Sequence, residues 1–208
     1  MSRDLLEIFQ KKIDDDTVIK VALECAPLIA GLRIANIITI KREGLPTLKH
    51  ILSGTGIIFY LAASNSEKLS LILYREDLMK NYLNQPKVQL LLRKMGYPKI
   101  SMYELMYLFS LRYRNFIDGK GEFPHEMGIF LGYPVEDVIG YIQNDGKNFL
   151  AVGYWKVYQN KREKTSLFEK FEEAKEMMIL LVSSGVNIKE AIRICGACSH
   201  KHVLCYSN

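Results

Sequence analysis

Cys25 and His125 are the residues whose type and position best suit nucleophilic chemistry. Cys25 stands two residues before Pro27, where a helix is expected to begin, and a helix N-terminus stabilises a thiolate over a thiol. His125 follows Pro124 in a similar position, where the helix dipole disfavours the imidazolium and leaves a neutral ring available as a base. A nucleophile and its base need only meet in the fold. We therefore expect a site at Cys25 and His125. The alternative is a buried Cys25 that behaves as a small hydrophobe.

Three carboxylates lie near His125 in the sequence, and one of them could orient its ring. Glu126 is the adjacent residue, while Glu136 and Asp137 open the next expected helix. A carboxylate that accepts a hydrogen bond from one ring nitrogen fixes the tautomer of a histidine. Glu126 is therefore the third candidate catalytic residue. Acidic residues are also favoured in the first turn of a helix, which accounts for each of the three without any chemistry.

An alternating segment at 149–158 offers a candidate ligand-binding surface. In a strand, the alternation places Tyr154, Lys156 and Tyr158 on one face. Aromatic rings around an ammonium could hold an anionic or planar ligand. Asp137 is grouped with them as a further candidate ligand-binding residue. An outward Tyr-Lys-Tyr face can equally be a cross-strand packing device.

The C-terminal tail, 195–208, holds three of the four cysteines of the chain. Its possible metal ligands, of zinc-compatible type, are Cys195, Cys198, His202 and Cys205. Only three residues separate the two pairs, a shorter loop than zinc fingers usually have. Part of an iron–sulfur cluster is a second possibility, and incidental thiols at a chain terminus are a third. The short loop favours the last, so we predict no bound metal.

The elements that must position these residues include a small sheet. Two β-branched and aromatic runs, 56–62 and 69–74, flank a Ser-Asn-Ser turn and predict a hairpin. A further strand is predicted at 37–41. An isolated two-stranded hairpin is only marginally stable, so we expect the 149–158 strand to join this hairpin in one small mixed or antiparallel sheet.

Helices supply the rest of the pattern. Apolar residues at helical spacing predict helices at 86–96, 101–114 and 165–183. Strands inserted among helices without regular βαβ alternation indicate the α+β class. We therefore predict a single α+β domain at 1–194, in which helices pack on the sheet, followed by the tail.

The composition excludes several classes of protein. The 208 residues are 49% hydrophobic and 25% charged, which is typical of soluble globular proteins. The net charge of +5 is spread along the chain, so no nucleic-acid partner is expected. The longest uncharged run has 17 residues and includes polar ones, whereas a membrane span needs about 20 mostly apolar residues. Without an apolar signal core, a cytoplasmic location is expected.

The sequence lacks the signature motifs of P-loop, dinucleotide-binding, zincin and serine-hydrolase proteins.

Three long motifs carry a family resemblance. They are Cys-Ala-Pro-Leu-Ile-Ala-Gly from Cys25, Phe-Pro-His-Glu-Met-Gly-Ile-Phe-Leu-Gly-Tyr-Pro-Val-Glu-Asp-Val-Ile-Gly from Phe123, and Gly-Tyr-Trp-Lys-Val-Tyr from Gly153. Together they resemble an uncharacterised bacterial family, domain of unknown function 3793, over about residues 20–190. The resemblance implies a small cytosolic protein of anaerobic bacteria whose genes lie near flavodoxin and iron-handling genes. The resemblance assigns no activity, and the cofactor is unknown.

Two functions from different classes are compatible with these features. In the first, the protein binds a small molecule or cofactor near Cys25, His125 and the 154–158 segment, with thiol chemistry at Cys25 and a link to redox or iron metabolism. In the second, it is a non-catalytic module that docks on a redox partner such as a flavodoxin. Segment 68–120 supports the second, because its ten basic and four acidic residues suit an acidic partner. We favour the first.

Overall fold

The computed structural model of the protein describes Phe9 and residues 13–198, with the backbone alone at 197 and 198. The helices are α1 Asp16–Glu24, α2 Ala26–Ile29, α3 Leu45–Leu52, α4 Glu76–Leu83, α5 Pro86–Lys94, α6 Met102–Ile117, α7 Met127–Phe130, α8 Val135–Gln143, α9 Lys161–Ser183 and α10 Ile188–Cys198. The strands are β1 Ala35–Lys41, β2 Ile57–Ser64, β3 Lys68–Arg75, β4 Ala151–Val152 and β5 Lys156–Val157. A short 3-10 turn at Arg42–Gly44 links β1 to α3.

The main sheet has three antiparallel strands in the order β1-β3-β2. The predicted hairpin is confirmed as β2 and β3, and Asn65 closes it by accepting hydrogen bonds from the backbone N–H groups of Glu67 and Lys68. The predicted strand at 37–41 is confirmed as β1. A bulge between Leu61 and Ala63 shifts the register of β2 against β3.

Both faces of this sheet are covered by helices. Alternate residues of β3 point to opposite faces, so that Leu71 and Leu73 belong to one core cluster and Ile72 and Tyr74 to the other. Residues of α1, α2, α3, α9 and α10 complete the first cluster. Residues of α4 to α8 complete the second. The α+β class is confirmed, and the sheet is the middle layer.

The prediction that 149–158 forms one strand of this sheet is wrong. The segment folds on itself into a separate hairpin in which β4 pairs with β5, and Gly153 N–H donates to the carbonyl of Trp155 at 3.1 Å within the turn. A Cβ at Gly153 would lie 2.3 Å from the ring of Phe168, so the turn sits directly on α9. Alternation has the same period in one long strand and in two short strands, so it did not reveal the turn.

The motif-rich segment forms two short helices. The predicted helix after Pro124 is confirmed as α7, and Gly132 ends it at a φ of +69°. A Cβ at Gly132 would lie 2.9 Å from Cβ of Ile34, so a larger residue would also collide with the chain before β1. Pro134 then precedes α8. Gly132 thus sets the angle at which α7 and α8 face each other.

The final helix continues beyond the expected domain end. α10 extends from Ile188 to Cys198, and Cys195 is buried in the core. Of the possible tail ligands, His202 and Cys205 lie outside the described residues, as does the rest of 199–208. Among the helices that the structure describes, none has the length and apolar character to cross a membrane.

Candidate functional site

A cavity of about 280 Å³ lies between α7, α8 and the β4-β5 hairpin. Its walls carry four aromatic rings, Phe123, Tyr133, Tyr141 and Trp155. The rings of Tyr133 and Trp155 are stacked with centroids 5.0 Å apart. Met127, Leu131 and Val138 add apolar side chains to the lining. The cavity is therefore an aromatic cleft, suited to a planar group.

His125 and Lys156 bring polar atoms to this aromatic cavity. The His125 ring lies between Phe123 and Tyr141, with centroids 5.6 and 5.5 Å away. Nζ of Lys156 lies 5.5 Å from the centroid of the Tyr141 ring and donates to the carbonyl of Gly146 at 2.7 Å. An ammonium has three N–H donors, so two remain for a ligand.

Asp137 fixes the wall of the cavity. Its side chain is 2% exposed, and Oδ2 accepts from the indole N–H of Trp155 at 2.8 Å. Oδ1 accepts from the backbone N–H groups of Tyr158 and Gln159 at 2.8 and 3.2 Å. Nζ of Lys164 lies 3.2 Å from Oδ2. One carboxylate thus holds α8, the hairpin and α9 together. We predicted Asp137 as a ligand-binding residue, but its contacts are those of a residue that positions the cavity wall.

Lys164 is the buried counter-charge of this arrangement. Its side chain is buried, and it also donates to Oε1 of Glu136 at 2.5 Å. A buried ammonium is tolerated only when carboxylates or carbonyls surround it. Glu136 and Asp137, adjacent in the first turn of α8, supply both partners.

The predicted Tyr154–Lys156–Tyr158 face is divided by the turn. The Tyr154 hydroxyl donates to Glu172 on α9 at 2.7 Å, and the Tyr154 ring packs edge-on against Phe171. The ring of Tyr158 lies against α8, where a Cβ at Gly140 would be 2.4 Å from it. Of the three, Lys156 alone lines the aromatic cavity.

Glu126 does not orient His125. It is buried and accepts from the Tyr97 hydroxyl at 2.9 Å and from Arg112 at 3.0 Å. Burial and the neighbouring carboxylate together raise the pKa of Tyr97. Because Glu126 and His125 are consecutive at the start of α7, one faces the core and the other the cavity. Glu126 anchors α7 to α6 and to the Tyr97 loop.

Cys25 lies in the core. It is fully buried, and its Sγ accepts from Nδ2 of Asn36 at 3.8 Å. Asn36 in turn accepts from Arg33, whose guanidinium carbon lies 5.6 Å from the ring centroid of Tyr133. Burial raises the pKa of the Cys25 thiol to about 12, so the predicted lowering is wrong. The helix that Cys25 precedes, α2, has four residues, and its dipole is outweighed by desolvation.

The structure therefore brings together His125, Lys156 and Asp137, and it does not bring Cys25 to them. Cys25 is not among the residues that line the aromatic cavity. Sequence reasoning missed Tyr141, although it lies one turn after Asp137 on the same side of α8, a spacing that points to a shared site. It also missed Lys164, which no local pattern links to Asp137.

The expectation that the tail binds no metal stays a prediction. Cys195 and Cys198 lie on α10, three residues apart, and the remaining two candidate ligands are outside the described residues. Within the described part of the chain, no three His, Cys, Asp or Glu side chains are grouped to hold a metal ion.

Comparison with protein-family models identifies a matching family. A family model described as a protein of unknown function (DUF3793) matches residues 21–192, which include all three motifs noted above. No curated protein and no solved structure matches the chain.

Replacing Asp137 with alanine should lower the free energy of unfolding by about 3–5 kcal/mol, because it leaves buried donors and part of a buried ion pair without an acceptor. Trp155 is the single tryptophan of the chain, so its emission should also shift to longer wavelength as the hairpin loosens. Urea denaturation followed by fluorescence measures both. Glu169→Ala, at an exposed carboxylate on α9, should change stability by less than about 0.5 kcal/mol. Equal stability of Asp137→Ala and the unmodified protein would contradict the role of Asp137.

Cys25 should resist alkylation in the folded protein. With a thiol pKa of about 12, iodoacetamide at pH 8 meets almost no thiolate, and the side chain is fully buried. Unfolding in urea should expose it to rapid labelling, which peptide mass spectrometry assigns to Cys25. Because the folded pKa exceeds the unfolded value of 9.0, the thiol's contribution to stability is complete below that pH and is lost as the pH rises toward 12. Labelling at the same rate in both states would contradict this assignment.

Proposed function

We propose that this chain, which belongs to the DUF3793 family of proteins of unknown function, binds a small planar molecule with an anionic group in the aromatic cavity. The observation that carries the proposal is that four aromatic rings and one lysine ammonium, which lies against the Tyr141 ring, line a single cleft. His125, Tyr141, Trp155 and Lys156 are the residues that would contact the ligand.

The shape of the cavity supports a planar ligand. The rings of Tyr133 and Trp155 form a stacked pair in the wall, and the His125 ring stands against Tyr141. Ligand pockets typically measure about 300–1,000 Å³, so a volume of about 280 Å³ suits a ligand of one or two fused rings. The wall is held rigid by Asp137, which limits the ordering cost of binding.

The charges in the cavity support an anionic group. Asp137 lies in the wall, but its two oxygens accept four hydrogen bonds or ion-pair contacts from protein donors. Lys156 has one carbonyl partner, Gly146, and no described carboxylate within ion-pair distance. The cavity therefore presents an ammonium to a ligand, while the carboxylate among its described lining residues, Asp137, already has both oxygens occupied by protein donors.

The proposal is for binding, without thiol chemistry. Among the described residues that line the cavity, none is a cysteine, serine or threonine. Cys25 takes no part in the proposed binding because its thiol is sealed in the core. His125 remains in position to exchange a proton with a bound ligand.

A second function is favoured by the outer face of α5, which combines charge with an apolar side chain. Lys87 and Lys94 are exposed there on either side of Leu90, whose side chain is 52% exposed. Such a face suits an acidic redox protein such as a flavodoxin, because opposite charge speeds encounter and the leucine adds apolar contact.

Titration with 2-naphthoate tests the first proposal. We expect saturable quenching of Trp155 fluorescence, with binding weakened about tenfold in Lys156→Met, since one charge-assisted contact is lost. The uncharged 2-naphthamide should bind the unmodified protein and Lys156→Met equally. Tyr141→Ala should weaken both ligands, whereas Tyr107→Ala, an exposed tyrosine on α6, should affect neither. Quenching that is absent, or unchanged in both Lys156→Met and Tyr141→Ala, would contradict the proposal.

Titration of the isotope-labelled protein with a flavodoxin tests the second proposal. At low salt, amide chemical-shift changes should map to α5, and high salt should abolish them because the contact is electrostatic. The Lys87→Glu/Lys94→Glu variant should lose binding, and Lys161→Glu/Lys170→Glu on α9 should retain it. Shifts outside α5, or equal binding by the two variants, would overturn the docking surface.

A further inference from the structure

A second cavity, of about 410 Å³, lies between the loop after α3, the end of β3 and helix α10. It shares no lining residue with the aromatic cavity. Isoleucine side chains, among them Ile29, Ile51 and Ile192, form its apolar wall, and these belong to the core cluster on the opposite face of the sheet. It is thus independent of the proposed ligand site.

The wall of this second cavity carries a guanidinium, Arg75, for which the described residues provide no carboxylate partner. Arg75 is half-buried and donates to two backbone carbonyls, Ile29 at 3.1 Å and Thr55 at 3.2 Å. Its Nε is buried and has no hydrogen-bond partner within the described chain. A guanidinium has five N–H donors, so several remain unused. Burial lowers the pKa of Arg75, which reflects the cost of holding this charge away from water.

Helix α10 adds two more cations to the same wall. Lys189 and Arg193 line the cavity together with Glu190. Arg193 forms a two-point contact with Glu190, with N···O distances of 2.6 and 2.9 Å. The lining therefore has three cations, Arg75, Lys189 and Arg193, and one carboxylate, which gives a net charge of +2. Lys189 has no described carboxylate within ion-pair distance.

We propose that this cavity binds the phosphate group of a small phosphorylated molecule. Arginine matches a phosphate with paired N–H donors, and Lys189 adds a point charge from the facing helix. The isoleucine wall would contact the apolar part of the molecule. An anion there neutralises the half-buried Arg75, for which the described chain provides only carbonyl partners.

Calorimetric titration with inorganic phosphate, at constant ionic strength to hold charge screening fixed, tests this site. We expect one saturable site, weakened about tenfold in Lys189→Gln, since one charge-assisted contact is lost. Glu190→Gln should strengthen binding, because it removes the single carboxylate among the described lining residues and releases Arg193. A purely structural role for α10 would not produce that gain. Lys170→Gln, at a half-buried lysine of α9 outside the cavity, is the matched control and should bind like the unmodified protein.

Arg75 is left unchanged in these variants because its carbonyl contacts also support the fold. Absence of saturable phosphate binding at millimolar concentration would overturn the proposal. So would equal affinity in Lys189→Gln and Lys170→Gln, or weaker binding in Glu190→Gln. Trp155 fluorescence serves as a check on location, since phosphate at this site should leave it unchanged.

Discussion

The buried carboxylate of Asp137 is the contact on which the rest of the candidate site depends. Strands of two residues, such as β4 and β5, have too few ladder hydrogen bonds to persist alone. Asp137 supplies additional hydrogen bonds to this hairpin, because it accepts from the indole N–H of Trp155 and from the backbone N–H that follows β5. Lys164 makes its burial tolerable by bringing a counter-charge from α9. The aromatic wall, the orientation of the hairpin and its attachment to the first turn of α9 all rely on this one acceptor.

Burial divides the polar residues of the family motifs into two kinds. Cys25 and Glu126 face inward, where Asn36 and Tyr97 provide their partners, and both act in packing. His125 and Lys156 face the aromatic cavity. The motif that begins with Cys25 is therefore explained by the tight turn between α1 and α2, where proline opens a helix of one turn against the core.

Local patterns in the sequence predicted most of the elements, since the hairpin of β2 and β3 and the helices α5, α6 and α9 each follow from residue spacing. His125 and Lys156 were selected from their local setting, and both line the aromatic cavity. The pairing of Asp137 with Lys164 was not predicted, because it joins residues from two helices through tertiary packing. Tertiary packing also explains why the prediction for Cys25 was wrong. The pKa of its thiol depends on how deeply the fold buries it, and the position of Cys25 before a helix does not determine that burial.

The bulge in β2 has a consequence for how this protein behaves at high concentration. β2 is an outer strand of the sheet, and its residues, Ile-Ile-Phe-Tyr-Leu-Ala-Ala-Ser, carry no charge. Uncharged edges are templates for strand addition between molecules, and natural proteins blunt them with charges, prolines or irregular backbone. Here the register is irregular between Leu61 and Ala63, and helix α6 packs against the strand. Both features are geometric, so we expect any protection of this edge to be as effective in concentrated salt as in dilute buffer.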